Sequence, residues 1–157
     1  MSANSSIQEA IIKVDVQTLE RSLHGSVTGV VRIWIAGVLF PEKQWSDFPI
    51  IILSWWLKPV PQIQLGAARD WEWLFMDGPY SIQLRQHRGD DWILEALQAE
   101  CVVLTAKVSC RAVIRSLLDA AALVLRDCND RGWQGGEISE LDLAVQRTIR
   151  HKNVSDC

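Results

Sequence analysis

The side chains with the best spacing for metal chemistry are His87, Asp90 and Asp91. A protein metal site brings together several imidazole, thiolate or carboxylate ligands. The chain has only three histidines, and the other two, His24 and His151, have no potential ligand at a suitable spacing. Adjacent carboxylates on a turn usually diverge into water. We therefore interpret residues 87–91 as a solvated hairpin tip and expect neither a metal site nor a cofactor.

A serine or cysteine nucleophile needs a nearby base, and no signature of such a pair is found in the sequence. There is no G-x-S-x-G elbow, and Cys101 and Cys110 lie in no recognisable catalytic motif. A phosphate-binding loop is also missing, because Gly25-x-x-x-Gly29 is followed by valines and not by lysine with serine or threonine. We therefore predict a non-catalytic protein that has no catalytic residue.

Eight tryptophans are the least usual feature of the composition. Trp55, Trp56, Trp71 and Trp73 allow two interpretations. They could line an aromatic pocket, which would indicate a small-molecule-binding protein or an unrecognised enzyme. Alternatively, their spacing is that of a core in which a helix packs on a sheet, and we favour this interpretation. Trp34 differs, because it lies opposite an aliphatic strand face, and we expect it to be exposed at a binding surface.

Negative charge is concentrated in the middle of the chain. The net charge is −3, and residues 41–100 hold nine acidic and five basic side chains. Such a balance gives no reason to expect direct binding of nucleic acid, but it favours an acidic patch that attracts a basic protein. The contact residues that we predict are Asp77, Asp90 and Asp91, which lie on turns, together with Glu72 and Trp34.

The location signals favour the cytoplasm. Residues 1–8 lack the basic start and apolar stretch of a secretory signal. The most apolar run, residues 48–57, has about half of the roughly twenty residues that a membrane-spanning helix needs. The four cysteines (Cys101, Cys110, Cys128 and Cys157) include no C-x-x-C pair. We therefore predict a cytoplasmic protein with reduced thiols and no membrane association.

Hydrophobic periodicity predicts a cluster of strands and a separate set of helices. A length of 157 residues with 48% hydrophobic side chains indicates one domain over residues 1–157, with a core at about 10–150. The predicted class is α+β, with an antiparallel sheet of about five to six strands and three helices packed mainly on one face. The predicted strands cover 10–18, 26–40, 71–75, 80–85, 92–97 and 101–108, and the helices cover 48–57, 109–128 and 139–149.

The predicted helix at 48–57 is apolar on nearly all sides. Ser46 or Asp47 can cap it, and Pro49 fits its first turn. Such a helix is either deeply buried or covered by another chain, which leaves a homodimer through residues 48–57 possible. For the last helix, Ser139 is the predicted N-terminal cap, with Asp142 three residues later in a capping-box arrangement.

Three segments resemble those of small bacterial proteins, some of which are immunity proteins of contact-dependent inhibition and related toxin systems. The segments are Phe40-Pro41-x-x-x-Trp45-x-Asp47-Phe48, Phe75-Met76-Asp77-Gly78-Pro79-Tyr80 and Cys128-x-x-x-Gly132-Trp133. The resemblance implies binding and inhibition of one cognate toxin domain, often a nuclease with a basic surface. It implies no catalytic residue and no cofactor.

Overall fold

The first four strands form sheet A. The computed structural model describes residues 6–155, with side chains for residues 6–151. Strands β1 (Ala10–Arg21), β2 (Val27–Ile35) and β3 (Val38–Phe40) pair in that order, and the two-residue β4 (Ser46–Asp47) also pairs with β2. All of these pairs are antiparallel.

The next four strands form sheet B, which follows chain order. These strands are β5 (Asp70–Leu74), β6 (Tyr80–Arg88), β7 (Asp91–Gln98) and β8 (Cys101–Ser109). A backbone hydrogen bond from Gln8 N to Lys107 O (2.7 Å) joins the segment before β1 to β8. Sheets A and B are therefore adjacent through the start of β1.

Four helices complete the fold: α1 (Pro49–Leu57), the short α2 (Val60–Gln64), α3 (Cys110–Asp130) and α4 (Gly136–Ser155). Helix α1 contacts β2 of sheet A and β5 of sheet B, and α3 contacts β1 of sheet A and β8 of sheet B. Helix α4 packs on α1, α2 and α3. The two sheets are therefore held together by helices that each contact both of them.

The α+β class and the antiparallel pairing are confirmed, but the single sheet of five to six strands is wrong. The structure has eight strands in two sheets among the described residues. The predicted strand at 26–40 is two strands, because Ala36 (φ 50°) and Gly37 (φ 83°) form a tight turn between β2 and β3. Strand β4 was missed, since two residues are too few to show alternation.

Two predicted helix starts also need correction. Pro49 lies in the first turn of α1 as predicted, but the helix begins at Pro49 and Phe48 occupies its N-cap position. The predicted cap by Ser46 or Asp47 is wrong, because no side chain caps this helix. Helix α4 begins at Gly136, three residues before Ser139, so the capping box is wrong. Gly135 precedes that helix, and glycine is tolerated at an N-terminal cap, so a Gly-Gly pair that suggests a loop begins a helix here.

Helix α1 lies in the centre of the molecule. Its buried residues are Pro49, Ile50, Ile52, Leu53, Trp56 and Leu57, and they are covered by β2, β5, α3 and α4 of the same chain. Its apolar character is therefore explained by burial within one chain. The apolar character of residues 48–57 therefore no longer supports a homodimer through this helix.

A buried carboxylate joins the β4–α1 connection to the turn between β5 and β6. Asp47 is 1% exposed. One of its oxygens accepts hydrogen bonds from the backbone N–H groups of Phe48 (2.8 Å) and Met76 (3.3 Å). The other accepts from Trp45 Nε1 (3.0 Å) and Asp77 N (3.3 Å). We call this arrangement the Asp47 junction; it connects two of the three segments on which the family resemblance rests.

Aromatic rings extend from this junction into the core. Tyr80 contacts Trp45 edge to face, with ring centroids 4.9 Å apart. Contacts of the same kind connect Phe40 to both Tyr80 and Phe75, and Phe75 to Trp56. Gly78 lies against Trp45, and a Cβ at Gly78 would be 2.6 Å from a carbon of that indole.

We expect Asp47→Asn to lower the free energy of unfolding by about 2–3 kcal/mol, because the new NH₂ group would face two N–H donors that then lack an acceptor. Asp77→Asn is the matched control, since the Asp77 side chain is exposed and only its backbone N–H binds Asp47. The control should stay within about 0.5 kcal/mol of the wild type in urea unfolding. Equal losses would show that Asp47 has no special structural role.

Gly78→Ala should destabilise more than Gly66→Ala. The two glycines have nearly the same φ, +73° and +75°, so the backbone strain of an alanine is matched. At Gly78 the added Cβ also meets Trp45, whereas nothing lies within 4 Å at Gly66. Overpacking of a side chain costs about 1–3 kcal/mol of stability. The midpoint of thermal unfolding should therefore be lower for Gly78→Ala than for Gly66→Ala. Matching midpoints would contradict tight packing of Gly78 on Trp45.

Candidate functional site

One side of sheet B is buried under helices, and we call the opposite side the outer face of sheet B. Alternate residues of each strand are buried, as in β5, where Trp71 and Trp73 point into the core. Helices α1 and α3 cover that buried side. The remaining side chains therefore point away from the core and form a four-stranded surface.

An apolar row crosses one end of the outer face of sheet B. Leu74, Ser81, Leu97 and Val102 are neighbours across the four strands, and an irregularity in β8 adds Val103. Leu74 is 48% exposed, and both valines are 49% exposed. Clustered, exposed apolar side chains of this kind mark interaction surfaces more often than isolated ones do.

Charged residues lie beside the apolar row. The outward charged positions are four carboxylates and three cations: Asp70, Glu72, Asp91, Glu95, Arg85, Arg88 and Lys107. Arg85 pairs with Glu95 (2.6 Å) and Lys107 with Asp91 (3.5 Å). Within residues 6–151, Asp70 and Glu72 form no ion pair. This surface therefore combines an apolar row with a local excess of negative charge.

Asp90, one of the predicted contact residues, has a structural role. Its carboxylate accepts hydrogen bonds from the Ser109 hydroxyl (2.5 Å) and from the backbone N–H of Arg111 (3.0 Å). The Ser109 oxygen in turn accepts from Ala112 N (3.2 Å) and caps α3. Asp90 therefore fastens the β6–β7 turn to the positive end of α3, where a carboxylate is favourable.

The predicted contact residues do not form one patch. Asp77 precedes β6 and Asp90 follows it, so the nine residues of that strand separate them by about 30 Å. Asp91 and Glu72 belong to the outer face of sheet B. Trp34 lies half-buried on sheet A, between Ile11 and Leu39 of the neighbouring strands.

Three of the four tryptophans, Trp56, Trp71 and Trp73, belong to the core, as favoured above. Trp56 and Trp73 stack with centroids 5.0 Å apart, and Trp71 meets Trp73 edge to face at 5.1 Å. The indole N–H of Trp56 donates to Leu74 O, and that of Trp71 donates to Trp56 O. All three rings are buried, whereas Trp55 is exposed. A pocket lined by all four tryptophans is therefore wrong.

The two buried thiols, Cys110 and Cys128, lack the surroundings of a nucleophile. Burial, assisted by the negative charge of Asp90, raises the pKa of Cys110 to about 12, and burial also raises the pKa of Cys128. Both thiols therefore stay protonated at neutral pH. Cys157 lies outside the described residues.

Among the described residues, no three histidines, cysteines or carboxylates are grouped as metal ligands would be. Every helix of this part of the chain is too short or too polar to cross a bilayer.

No protein family, curated protein or solved structure was found to match this chain. The resemblance to immunity proteins stays a prediction.

We expect Asp90→Ala to lower the free energy of unfolding by about 1–2 kcal/mol, because it removes two hydrogen bonds at the start of α3. Asp77→Ala makes the same change on an exposed turn residue and should cost less than about 0.5 kcal/mol. Chemical denaturation of the two variants tests this. If Asp90→Ala is as stable as Asp77→Ala, the carboxylate does not hold the turn on the helix.

Proposed function

We propose that this chain is a non-catalytic immunity protein, which binds and neutralises a cognate toxin domain in the cytoplasm through the outer face of sheet B. The observation that carries the proposal is the apolar row of Leu74, Leu97, Val102 and Val103 beside unpaired carboxylates. Helices cover the opposite side of this sheet, so its outer side chains are held on a rigid support.

The apolar side chains and the carboxylates of this surface would contribute to binding in different ways. The apolar side chains lose contact with water when a partner covers them, which stabilises a complex. The carboxylates at Asp70 and Glu72 attract a basic partner and raise the association rate. A nuclease toxin has a basic surface for its substrate, and an acidic protein bound there would block access.

The alternative of a small-molecule-binding protein or an enzyme with a tryptophan-lined pocket has less support. Three of the four tryptophans that suggested it, Trp56, Trp71 and Trp73, fill the core. The buried thiols of Cys110 and Cys128 also make poor nucleophiles. A protein-binding role explains the exposed apolar row, which the alternative does not.

A growth assay tests the proposal. The proposal predicts a toxin gene next to the gene for this chain. When that toxin domain is expressed in a laboratory bacterium with and without the chain, the chain should restore growth. The double substitution Val102→Glu and Val103→Glu should abolish protection, because it places charges in the apolar row. Leu143→Glu is the control, since Leu143 is equally exposed on α4 and should keep protection.

Association kinetics test the role of charge. Glu72→Lys should slow binding of the same toxin domain by roughly two- to ten-fold in surface plasmon resonance, with a smaller effect at high salt. Glu140→Lys on α4 changes the net charge equally and should have the smaller effect. Glu72 is chosen and not Asp90, because a substitution at Asp90 would also disturb the start of α3.

The outcomes separate two kinds of failure. If the chain neither binds the toxin domain nor restores growth, the immunity function is wrong. If it protects and the double glutamate variant protects equally well, the function stands but the outer face of sheet B is not the binding surface.

A further inference from the structure

A groove with a volume of about 590 Å³ lies where the end of α1 and helix α2 meet α4. Its apolar wall consists of Trp55, Pro59 and Pro61, and its cationic side chains include Lys58 and Arg147. Pockets for small organic ligands have volumes of about 300–1,000 Å³. Because α1 and α4 lie on the helical side of the molecule, this groove is away from the outer face of sheet B.

Trp55 is exposed on a helix whose other large side chains are mostly buried. Trp56, the next residue of α1, is fully buried, whereas Trp55 is 46% exposed. The two prolines beside it restrict the backbone, so the apolar wall is pre-formed. An exposed indole on a fixed wall is suited to contact with a flat ring.

The charge of the groove is opposite to that of the whole chain. Lys58 comes from the end of α1 and Arg147 from the middle of α4, and neither forms an ion pair within residues 6–151. None of the described residues that line the groove is a carboxylate. Lys58 also complements the negative end of α1, but Arg147 has no such role. Two cations on separate elements thus line one concavity, and no carboxylate among its described lining residues neutralises them, which favours an anionic ligand.

We propose that this groove binds a small organic phosphate that carries a flat ring, the chemical class of a nucleoside monophosphate. The phosphate would bind Arg147, whose guanidinium matches phosphate geometry, and Lys58. The ring would pack on Trp55. This proposal does not depend on the proposed toxin-binding function, because it uses different residues on a different surface.

The test is a titration of the ¹⁵N-labelled protein with AMP, followed by NMR. The indole N–H signal of Trp55 is assigned with Trp55→Phe, and this signal should shift on addition of AMP. AMP should bind at least tenfold more tightly than adenosine, which lacks the phosphate, and ribose 5-phosphate, which lacks the ring.

Variants on one helix provide the control. Arg147→Glu should weaken AMP binding at least tenfold, whereas Arg150→Glu, an equally large charge change at an exposed position of α4, should leave it within twofold. Lys58→Gln should also weaken binding. AMP that binds no more tightly than ribose 5-phosphate, an unshifted Trp55 signal, or equal losses in the two arginine variants would each overturn the proposal.

Discussion

The arrangement of this protein depends on one buried carboxylate. A carboxylate removed from water must be stabilised by hydrogen bonds, and Asp47 has four of them, from two segments about thirty positions apart in the chain. These bonds place the start of α1 against the turn between β5 and β6 of sheet B. Helix α1 then carries Trp56 onto Trp73, so sheet B is held with its opposite side facing solvent. The orientation of the proposed binding surface therefore depends on a buried group that lies outside that surface.

Hydrophobic periodicity predicted the secondary structure well where a helix or strand is long and has one buried face. The stripe of α3, which includes Val113, Leu117 and Val124, is buried as its spacing indicated, and the alternation of Trp71 and Trp73 marked β5. The division into two sheets was not predictable in this way, because alternation shows that a strand has a buried side but not which strand pairs with it. The role of Asp47 was missed for the same reason. A carboxylate two residues before Pro49 resembles a helix cap, and only the folded chain brings Met76 N and Asp77 N to it.

The candidate site was predicted less well, and the reasons are physical. Turn aspartates were expected to be free because turns are exposed, yet Asp90 lies at a helix start, where N–H groups need an acceptor. The apolar outer residues escaped notice because Val102 and Val103, next to further apolar residues, resemble a strand buried on both sides. A count of alternation would have found Leu74, which falls on the same side of β5 as Glu72. Glu72 was the one predicted carboxylate that the structure leaves exposed and unpaired on this face.

Because sheet B is pleated, selection for binding and selection for core packing act on different residues of the same strands. Odd and even positions of each strand face different environments, so a change at Glu72 or Val103 alters the surface while Trp73 and its neighbours continue to fill the core. Surface substitutions of this kind generally change stability little. A lineage whose binding partner keeps changing could therefore replace the outer residues one at a time, and the fold would persist through successive changes of specificity.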